Sequence, residues 1–239
     1  MIQVAGMPFQ PIDMNVGSME EEILKKMSES QLLYSFTSNR DLLFDLTLRR
    51  NIIDSANEMN NSKAAFTTFQ YSQCNVTYWN LTNTGGFLLK PYVRPSEAIM
   101  DINQNSSLYA FECATACMIV FYQAVLKSIG VLHFDSLFQN MYLYSWNGDA
   151  DLGINTSHAN HFLPGDVVYF DNPDFHPNTP WYRGVNAVAM SNGKFFGHGF
   201  GILTAEELLS FLNSFRLPAS LRPAYLTSLV TKISLLDKF

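Results

Sequence analysis

The sequence feature that most constrains the fold is an apolar segment that runs from Glu112 to about Ser128. Its residues, ECATACMIVFYQAVLKS, are apolar on nearly every side at helical spacing, which predicts a helix buried at the centre of a domain. Gln123 and Lys127 interrupt the segment, and we therefore expect it to be too short to span a bilayer. Gly130 should end this helix, and a second helix should follow in VLHFDSLFQNMYLY.

Other segments predict further helices by their caps and by the spacing of their apolar residues. Three precede the central segment: SMEEEILKKMSES with Ser18 as N-cap, SNRDLLFDLTLRRNIIDSAN, and RPSEAIMDINQN with Ser96 as N-cap. A last helix, AEELLSFLNSF, should begin at Thr204, and Glu207 three residues later would complete a capping box.

Strands are indicated on both sides of the central helix. A β-hairpin is predicted in FTTFQYSQCNVTYWNLTNTGGFLLKPYV, with its turn at NTGG. After a polar loop of about 18 residues, strands are predicted in LPGDVVYFDNP, PNTPWYRG and VNAVAMSNGKFFGHGF, with a hairpin corner at residues 191–193. We therefore expect one α+β domain over residues 1–239, in which a helix precedes an antiparallel sheet.

Charge, cysteine content and the first residues argue against several classes of partner, site and location. The net charge of −6, without a basic cluster, argues against nucleic acid as a partner. Three cysteines and no CxxC pair predict neither a disulfide framework nor a zinc site, which favours a reducing compartment. The first residues, MIQVAGMPFQPIDM, lack the pattern of a secretory signal, so we expect a protein outside the membrane.

Cys113 lies where the central helix should begin. A helix N-terminus carries partial positive charge, which stabilises a thiolate, and the position therefore predicts a lowered thiol pKa. A buried cysteine that only packs in the core is the alternative. We interpret Cys74 and Cys117 as structural.

Candidate proton partners for this thiol are His198 and Glu112. His198 is flanked by Gly197 and Gly199, which would let a substrate approach the imidazole, although the same glycines are typical of a bulge beside a core histidine. Glu112 could orient a proton donor, accept a proton, or only favour the helix dipole. Asp166, after a Pro-Gly turn, is expected to accept backbone N–H groups.

Five motifs in this order resemble one known family: FECATA, LPGDVVYF followed by NP, RG-x-N, HG-x-GI and LNSFR. The resemblance is to the bacterial spore-coat transglutaminases, the protein-glutamine γ-glutamyltransferases of spore-forming Gram-positive bacteria. It implies an NlpC/P60-like (papain-like) core, in which a central catalytic helix packs on an antiparallel sheet, with extra N-terminal helices. It also implies a calcium-independent enzyme with no cofactor and no metal.

Carried over by position, the resemblance makes Cys113 the nucleophile, His198 the active-site histidine and Glu112 the glutamate before the cysteine. The family's other glutamate belongs in RG-x-N, where this sequence has Val185. Either Glu112 replaces that carboxylate, or His198 is the proton partner, oriented by Asn186 or Asp166. Aromatic residues beside the motifs are candidates for the wall of a substrate channel: Phe111, Trp181, Tyr182, Phe195 and Phe196.

The implied reaction joins a glutamine donor to a lysine acceptor on spore coat proteins, through a thioester and with release of ammonia. The expected setting is a monomer in the mother-cell cytoplasm and then at the spore coat surface. Two alternatives stay open. One is an NlpC/P60-like cysteine amidase or peptidase, and the other is a catalytically weakened coat structural protein.

Overall fold

A computed structural model describes residues 1–9 and 16–235 of the chain. The single domain expected over 1–239 includes segments 10–15 and 236–239, which lie outside the described residues. Five α-helices are found in the described part: α1 (Ser18–Glu29), α2 (Asn39–Asn60), α3 (Pro95–Gln104), α4 (Cys113–Leu137) and α5 (Ala205–Ser214).

In the described residues the strands form one large sheet and three small ones. In chain order they are β1 (Ile2–Val4), β2 (Met7–Pro8), β3 (Tyr34–Phe36), β4 (Ala65–Phe66), β5 (Trp79–Leu81), β6 (Phe87–Leu89), β7 (Ala110–Phe111), β8 (Tyr142–Leu143), β9 (Asn155–His158), β10 (Val167–Asp171), β11 (Gly184–Ala189), β12 (Lys194–Gly197), β13 (Gly201–Thr204) and β14 (Tyr225–Lys232). The large sheet has the order β13-β12-β11-β10-β14-β9 and is antiparallel throughout.

Helix α4 is the central element, as its sequence predicts. Its residues from 114 to 126 are buried without exception, and it packs against α2, α3 and β11. By length and composition α4 could cross a membrane, but 67% of its most apolar window is buried inside the fold. Our argument that the segment is too short to span a bilayer was therefore wrong. Helices buried in the core of soluble proteins can be equally long and apolar, and the interpretation of α4 as a core helix is confirmed.

Strand β11 lies between two apolar clusters, because successive side chains of a strand point to opposite faces. Val188 joins the cluster around α4. Val185 and Ala187 join a second cluster with Leu208 and Leu212 of α5. The sheet is therefore covered on both sides, and β11 brings the RG-x-N segment to the N-terminal end of α4.

Several predicted boundaries are confirmed. Ser38 caps α2 through its side chain, and the capping box of Thr204 and Glu207 begins α5. Gly130 interrupts α4 with a φ of 78°, a backbone conformation that suits glycine, and a helical segment continues to Leu137. The hairpins β5–β6 and β11–β12 form where the turn residues predict them.

Other local predictions were wrong. Helix α1 is capped by Gly17 rather than Ser18, and α3 by Arg94 rather than Ser96, because Pro95 takes the first helical position. The segment PNTPWYRG forms a 3-10 turn at Pro180–Tyr182 instead of a strand. The loop expected before LPGDVVYF contains β9, whose four residues are all polar and so lack the apolar–polar alternation that predicts a strand.

Candidate active site

The site is built at the first turn of α4. Cys113 is the first helical residue, and Glu112 is the N-cap, whose carboxylate folds back over the helix end. That carboxylate accepts the backbone N–H groups of Ala114 at 2.8 Å and Thr115 at 2.6 Å, and also the Thr115 hydroxyl at 2.9 Å. Thr115 Oγ1 in turn accepts the N–H of Ser145 at 3.0 Å. These bonds fix the orientation of Glu112.

The Cys113 thiol lies between a carboxylate and an amide. Its S–H donates to Glu112 Oε2 at 3.6 Å, and Sγ accepts a bond from Asn186 Nδ2 at 3.5 Å. These two partners suit a neutral thiol, because a carboxylate oxygen can accept the S–H proton while the amide N–H donates to sulfur. Glu112 is thus the acidic side chain in direct contact with the nucleophile candidate.

The pKa of the Cys113 thiol is raised to about 11, which reverses the prediction from the helix dipole. Burial is the larger cause and the adjacent Glu112 charge the next, while hydrogen bonds from Asn186 act in the opposite direction. The prediction was wrong because it counted the helix end but neither the burial of the thiol nor the carboxylate that caps the helix. At neutral pH the thiol therefore keeps its proton and needs a base to become a nucleophile.

A cleft of about 690 Å³ opens beside this pair, a volume typical of small-ligand sites. Glu112, Cys113 and Asn186 line it. Its aromatic wall is made by Phe66, Phe69, Trp146, Tyr169 and Trp181. Of the five aromatic residues proposed from the sequence, Trp181 lines the cleft; Phe111, Tyr182, Phe195 and Phe196 are not among its lining residues.

Strand β11 carries Asn186 to the helix. The Cys117 thiol, one turn below Cys113 on the same face of α4, donates to the Asn186 carbonyl oxygen at 3.8 Å. Cys117 is buried and Cys74 half-buried, both with free thiols, which agrees with their structural interpretation.

His198 lies deeper than the cleft. Its ring is 5% exposed, stacks on Phe111 with ring centres 4.7 Å apart, and has Nε2 3.2 Å from the Ala65 carbonyl oxygen. Because a carbonyl only accepts, Nε2 carries the proton. Burial lowers the pKa of His198 to about 4, which keeps the imidazole neutral. Within the described part of the chain, no hydrogen bond joins it to Cys113 or Glu112.

Val185 is fully buried in the cluster beneath α5, and the half-buried Cys113 packs against the same cluster. Asp166 accepts the Leu163 N–H at 2.8 Å, as predicted, and pairs with Arg49 at 2.8 Å. In residues 1–9 and 16–235 no group of three or more His, Cys, Asp or Glu side chains could hold a metal ion.

Comparison with known proteins decides the family. The sequence model of the protein-glutamine γ-glutamyltransferase family matches residues 1–237. The chain belongs to this family. It is therefore an acyltransferase of the transglutaminase class that acts on protein substrates; a cysteine nucleophile is general in this family, and Cys113 is present here.

Individual transglutaminases are similar over most of their length. One from Halalkalibacterium halodurans is 57% identical over 235 residues, which cover 98% of this chain and 83% of the relative. Another, from Bacillus mycoides, is 45% identical over 214 residues, or 90% of this chain and 78% of the relative. The structure titled "Transglutaminase from Geobacillus stearothermophilus (without C-terminal extension)" superimposes with a TM-score of 0.81 at 45% identity, covering 84% of this chain and 98% of that one. The predicted α+β transglutaminase fold with an NlpC/P60-like core is thereby confirmed.

Sequence reasoning missed how Asn186 acts in this transglutaminase site, and it did not propose Tyr169 at all. We had assigned Asn186 only a possible role in orienting His198, whereas its amide contacts the thiol itself. Both residues lie on one face of the sheet, where Tyr169 of β10 pairs with Asn186 of β11. The motif RG-x-N pointed to Asn186 as a site residue, but only the structure shows that its side chain contacts the Cys113 thiol.

Proposed function

We propose that this transglutaminase works through a thioester on Cys113, with Glu112 as its proton partner. The observation that carries the proposal is the contact between the thiol and Glu112 Oε2, at 3.6 Å, beside a cleft of about 690 Å³. A thiol that holds its proton at neutral pH requires a base within hydrogen-bonding reach, and Glu112 is such a base.

In the first half-reaction, Cys113 Sγ attacks the γ-carboxamide carbon of a protein glutamine while its proton passes to Glu112 Oε2. The tetrahedral adduct then collapses. Its C–N bond breaks, Glu112 returns the proton to the leaving nitrogen, and ammonia departs from the thioester. Glu112 therefore acts as a base and then as an acid, and this sequence leaves it unchanged.

In the second half-reaction, the ε-amine of a protein lysine attacks the thioester carbon. Free lysine has a pKa near 10.4, so its ammonium group must release one proton to bulk water as it enters the cleft before the amine can attack. Glu112 then takes a further proton from the attacking nitrogen, the C–S bond breaks, and the proton returns to sulfur. The product is an ε-(γ-glutamyl)lysine cross-link.

His198 remains part of the proposed site, in a positioning role. Its ring stacks on Phe111, the residue before Glu112, and its Nε2–H donates to the carbonyl of β4. These contacts support the strand that leads into the first turn of α4. Direct proton transfer by His198 is the alternative from the sequence, and the burial of its ring away from the cleft favours Glu112.

The remaining proposals rest on the resemblance to the spore-coat enzymes. We propose that the reaction needs no calcium, that glutamine donors and lysine acceptors are spore coat proteins, and that the chain acts as a monomer. Its setting would be the mother-cell cytoplasm and then the spore coat surface. A binding assay with isolated coats would test this, and equal binding to vegetative cell walls would contradict it.

The decisive experiment measures incorporation of a fluorescent primary amine into a glutamine-rich protein with a chelator present. The unmodified chain should label the protein, and the Cys113→Ala variant should not. Equal labelling by the two proteins would refute the thioester, and labelling only after calcium is added would refute calcium independence. If glutamine is hydrolysed and no amine is incorporated, the chain is the amidase that the sequence left as an alternative.

Val185 gives a second test. The family's other glutamate would stand at this position, and here an apolar side chain packs in the cluster against Cys113. A Val185→Glu variant should incorporate amine faster if the missing carboxylate limits the rate, although a buried carboxylate costs stability. An unchanged rate in a folded variant would show that Glu112 suffices alone.

A further inference from the structure

The Asn186 side chain has a contact that the proton transfers above do not use. Each half-reaction passes through a tetrahedral adduct whose oxygen carries negative charge, and enzymes stabilise such an oxyanion with two fixed donors. We propose that the side-chain amide of Asn186 is one of these donors and that the backbone N–H of Cys113 is the other. The inference rests on the proposed thioester mechanism.

The position of the amide supports this role. Asn186 Nδ2 is 3.5 Å from Cys113 Sγ, and both residues line the cleft. In the adduct, Sγ and the oxyanion are bonded to the same carbon. A donor that reaches the sulfur can therefore reach this oxygen after a small shift. In the resting state the Asn186 amide donates a weak hydrogen bond to sulfur. In the adduct it would donate instead to the negatively charged oxygen, which is a stronger bond.

The first turn of α4 supplies the second donor. Helix starts have backbone N–H groups without partners in the helix. Here the Ala114 and Thr115 N–H groups donate to the Glu112 carboxylate, and the Ala116 N–H donates to the Glu112 carbonyl. Among residues 1–9 and 16–235 the Cys113 N–H has no hydrogen-bond acceptor, so it can donate to the substrate. The cap residue thus removes two competing donors and keeps the one nearest the reacting sulfur.

The amide is held by the sheet rather than by a loop. Asn186 lies inside β11, and its neighbour Ala187 pairs with β10 on one side and β12 on the other. The Cys117 thiol donates to the carbonyl of Asn186 itself. Cys113 and Cys117 share one helix, so this bond fixes the strand relative to the nucleophile. Such support is needed for a donor that must be in place before charge develops.

Tyr169 is the rival donor, because it lines the same cleft across from Asn186. Burial raises its pKa to about 12, so the phenol keeps its proton. Its hydroxyl, however, lies against Gly184, where an added Cβ would be only 2.2 Å away. Within the described residues no hydrogen bond joins it to the thiol. The geometry therefore favours the amide of Asn186.

Two reagents separate oxyanion stabilisation from activation of the thiol. In both reactions the Cys113 thiol first gives its proton to Glu112. With p-nitrophenyl acetate, Sγ then attacks the ester carbonyl through an oxyanion, forms an acetyl thioester and expels p-nitrophenolate, which needs no proton from Glu112. With iodoacetamide, Sγ displaces iodide from a CH₂ group, and no oxyanion forms. Each rate is followed at Cys113 by mass spectrometry of its peptide, so that reaction at the half-buried Cys74 is not counted.

The variants are Asn186→Ala and Asn186→Leu, the second of which nearly preserves the volume of the side chain. Loss of an oxyanion donor should lower the acetylation rate by roughly 10²- to 10³-fold. Alkylation should change by less than about tenfold, since it loses only the weak hydrogen bond to sulfur. Thermal unfolding of each variant verifies that the protein is folded, and either variant is sufficient.

Equal decreases in both rates would overturn the proposal, because Asn186 would then only activate or place the thiol. Unchanged acetylation would also overturn it. Tyr169→Phe tests the rival: a larger selective loss of acetylation there than in the Asn186 variants would assign the role to the phenol. Since both reagents act without amine transfer, the result holds whether or not amine incorporation succeeds.

Discussion

Asp166 and Glu112 both accept backbone N–H groups near the start of a regular element, yet their surroundings differ. Asp166, before β10, is 4% exposed and is bonded to the buried Arg49 guanidinium at 2.8 Å. Glu112, before α4, is partly exposed to the cleft and contacts the Cys113 thiol. Among the described residues no ion pair involves Glu112.

The difference shows what distinguishes a structural carboxylate from a reactive one. At Asp166, one oxygen accepts the Leu163 N–H and the other accepts Arg49, so the charge is balanced in place. At Glu112, neutral donors hold the group, and one oxygen also faces a thiol that can give up its proton. Among the described residues, protonation of Asp166 would break its ion pair with Arg49, whereas protonation of Glu112 would break no ion pair.

The sharpest test of this comparison is Glu112→Gln. The amide keeps the shape of the cap but cannot accept and return the thiol proton. We expect kcat for amine incorporation to fall by roughly 10²- to 10⁴-fold, equivalent to about 3–5 kcal/mol of activation free energy. The melting temperature should fall much less, since a lost cap costs about 1 kcal/mol.

Asp166→Asn is the matched control for that variant, because it makes the same chemical change at the structural carboxylate. Here the folded fraction should keep its kcat while the protein loses stability. A Glu112→Gln enzyme with kcat within about threefold of the parent would contradict the proton role for Glu112.

At Arg49, as at Asp166, we expect a substitution to lower stability, in contrast to Glu112→Gln, which should mainly lower kcat. Arg49 is buried, donates to Asp166 and to Asp45 at 2.9 Å, and its pKa is raised by these carboxylates against the effect of burial. Arg49→Met leaves two carboxylates without their cation. Removing one partner of a buried pair costs about 3–5 kcal/mol of unfolding free energy, which urea unfolding would measure.

Lys25→Met provides the control for Arg49→Met. Lys25 pairs with Glu29, but their side chains are 74% and 63% exposed. Exposed pairs contribute little, and this change should leave the unfolding midpoint nearly unchanged. If both methionine variants unfolded at the same urea concentration, the ion pairs of Arg49 with Asp166 and Asp45 would not stabilise the fold.

His198 sharpens the comparison, because it is the rival proton partner of Cys113. Its folded pKa is about 4 and its unfolded value 6.5, so the unfolded chain binds the proton more readily. Stability present above pH 6.5 is then lost as the pH falls towards 4, by about 3 kcal/mol in all. Urea unfolding across this range should show less acid loss in His198→Gln, which retains a donor for the Ala65 carbonyl.

The rate of the same variant separates the two roles. As a positioning residue, His198 should be replaceable by Gln with only a several-fold loss of kcat. A decrease in kcat of roughly 10²-fold or more in a folded protein would make His198 the proton partner of Cys113 and would contradict that role for Glu112.

The sequence predicted the local half of the site. Glu112 and Cys113 are neighbours at a helix start, so a cap carboxylate beside a thiol can be inferred from adjacent residues and from the resemblance. The contact between Asn186 and Cys113 joins residues 73 positions apart and depends on the register of β11 against α4. The predicted direction of the thiol pKa was also wrong, because that pKa depends first on how deeply the fold buries the thiol and then on how the Glu112 side chain turns.

Thr115 offers the finest test of how Glu112 is held. Its hydroxyl donates to Glu112 Oε1 and accepts the N–H of Ser145. Ser145 has a positive φ of 49° and lines the cleft, as does Trp146. Thr115→Val keeps the shape but removes both bonds. Net hydrogen bonds are worth about 1 kcal/mol, so kcat should fall by roughly three- to tenfold. Thr115→Ser keeps the hydroxyl and should restore most of the rate. If Val and Ser behave alike, the backbone N–H groups of Ala114 and Thr115 suffice to aim the carboxylate, and the hydroxyl serves only the fold.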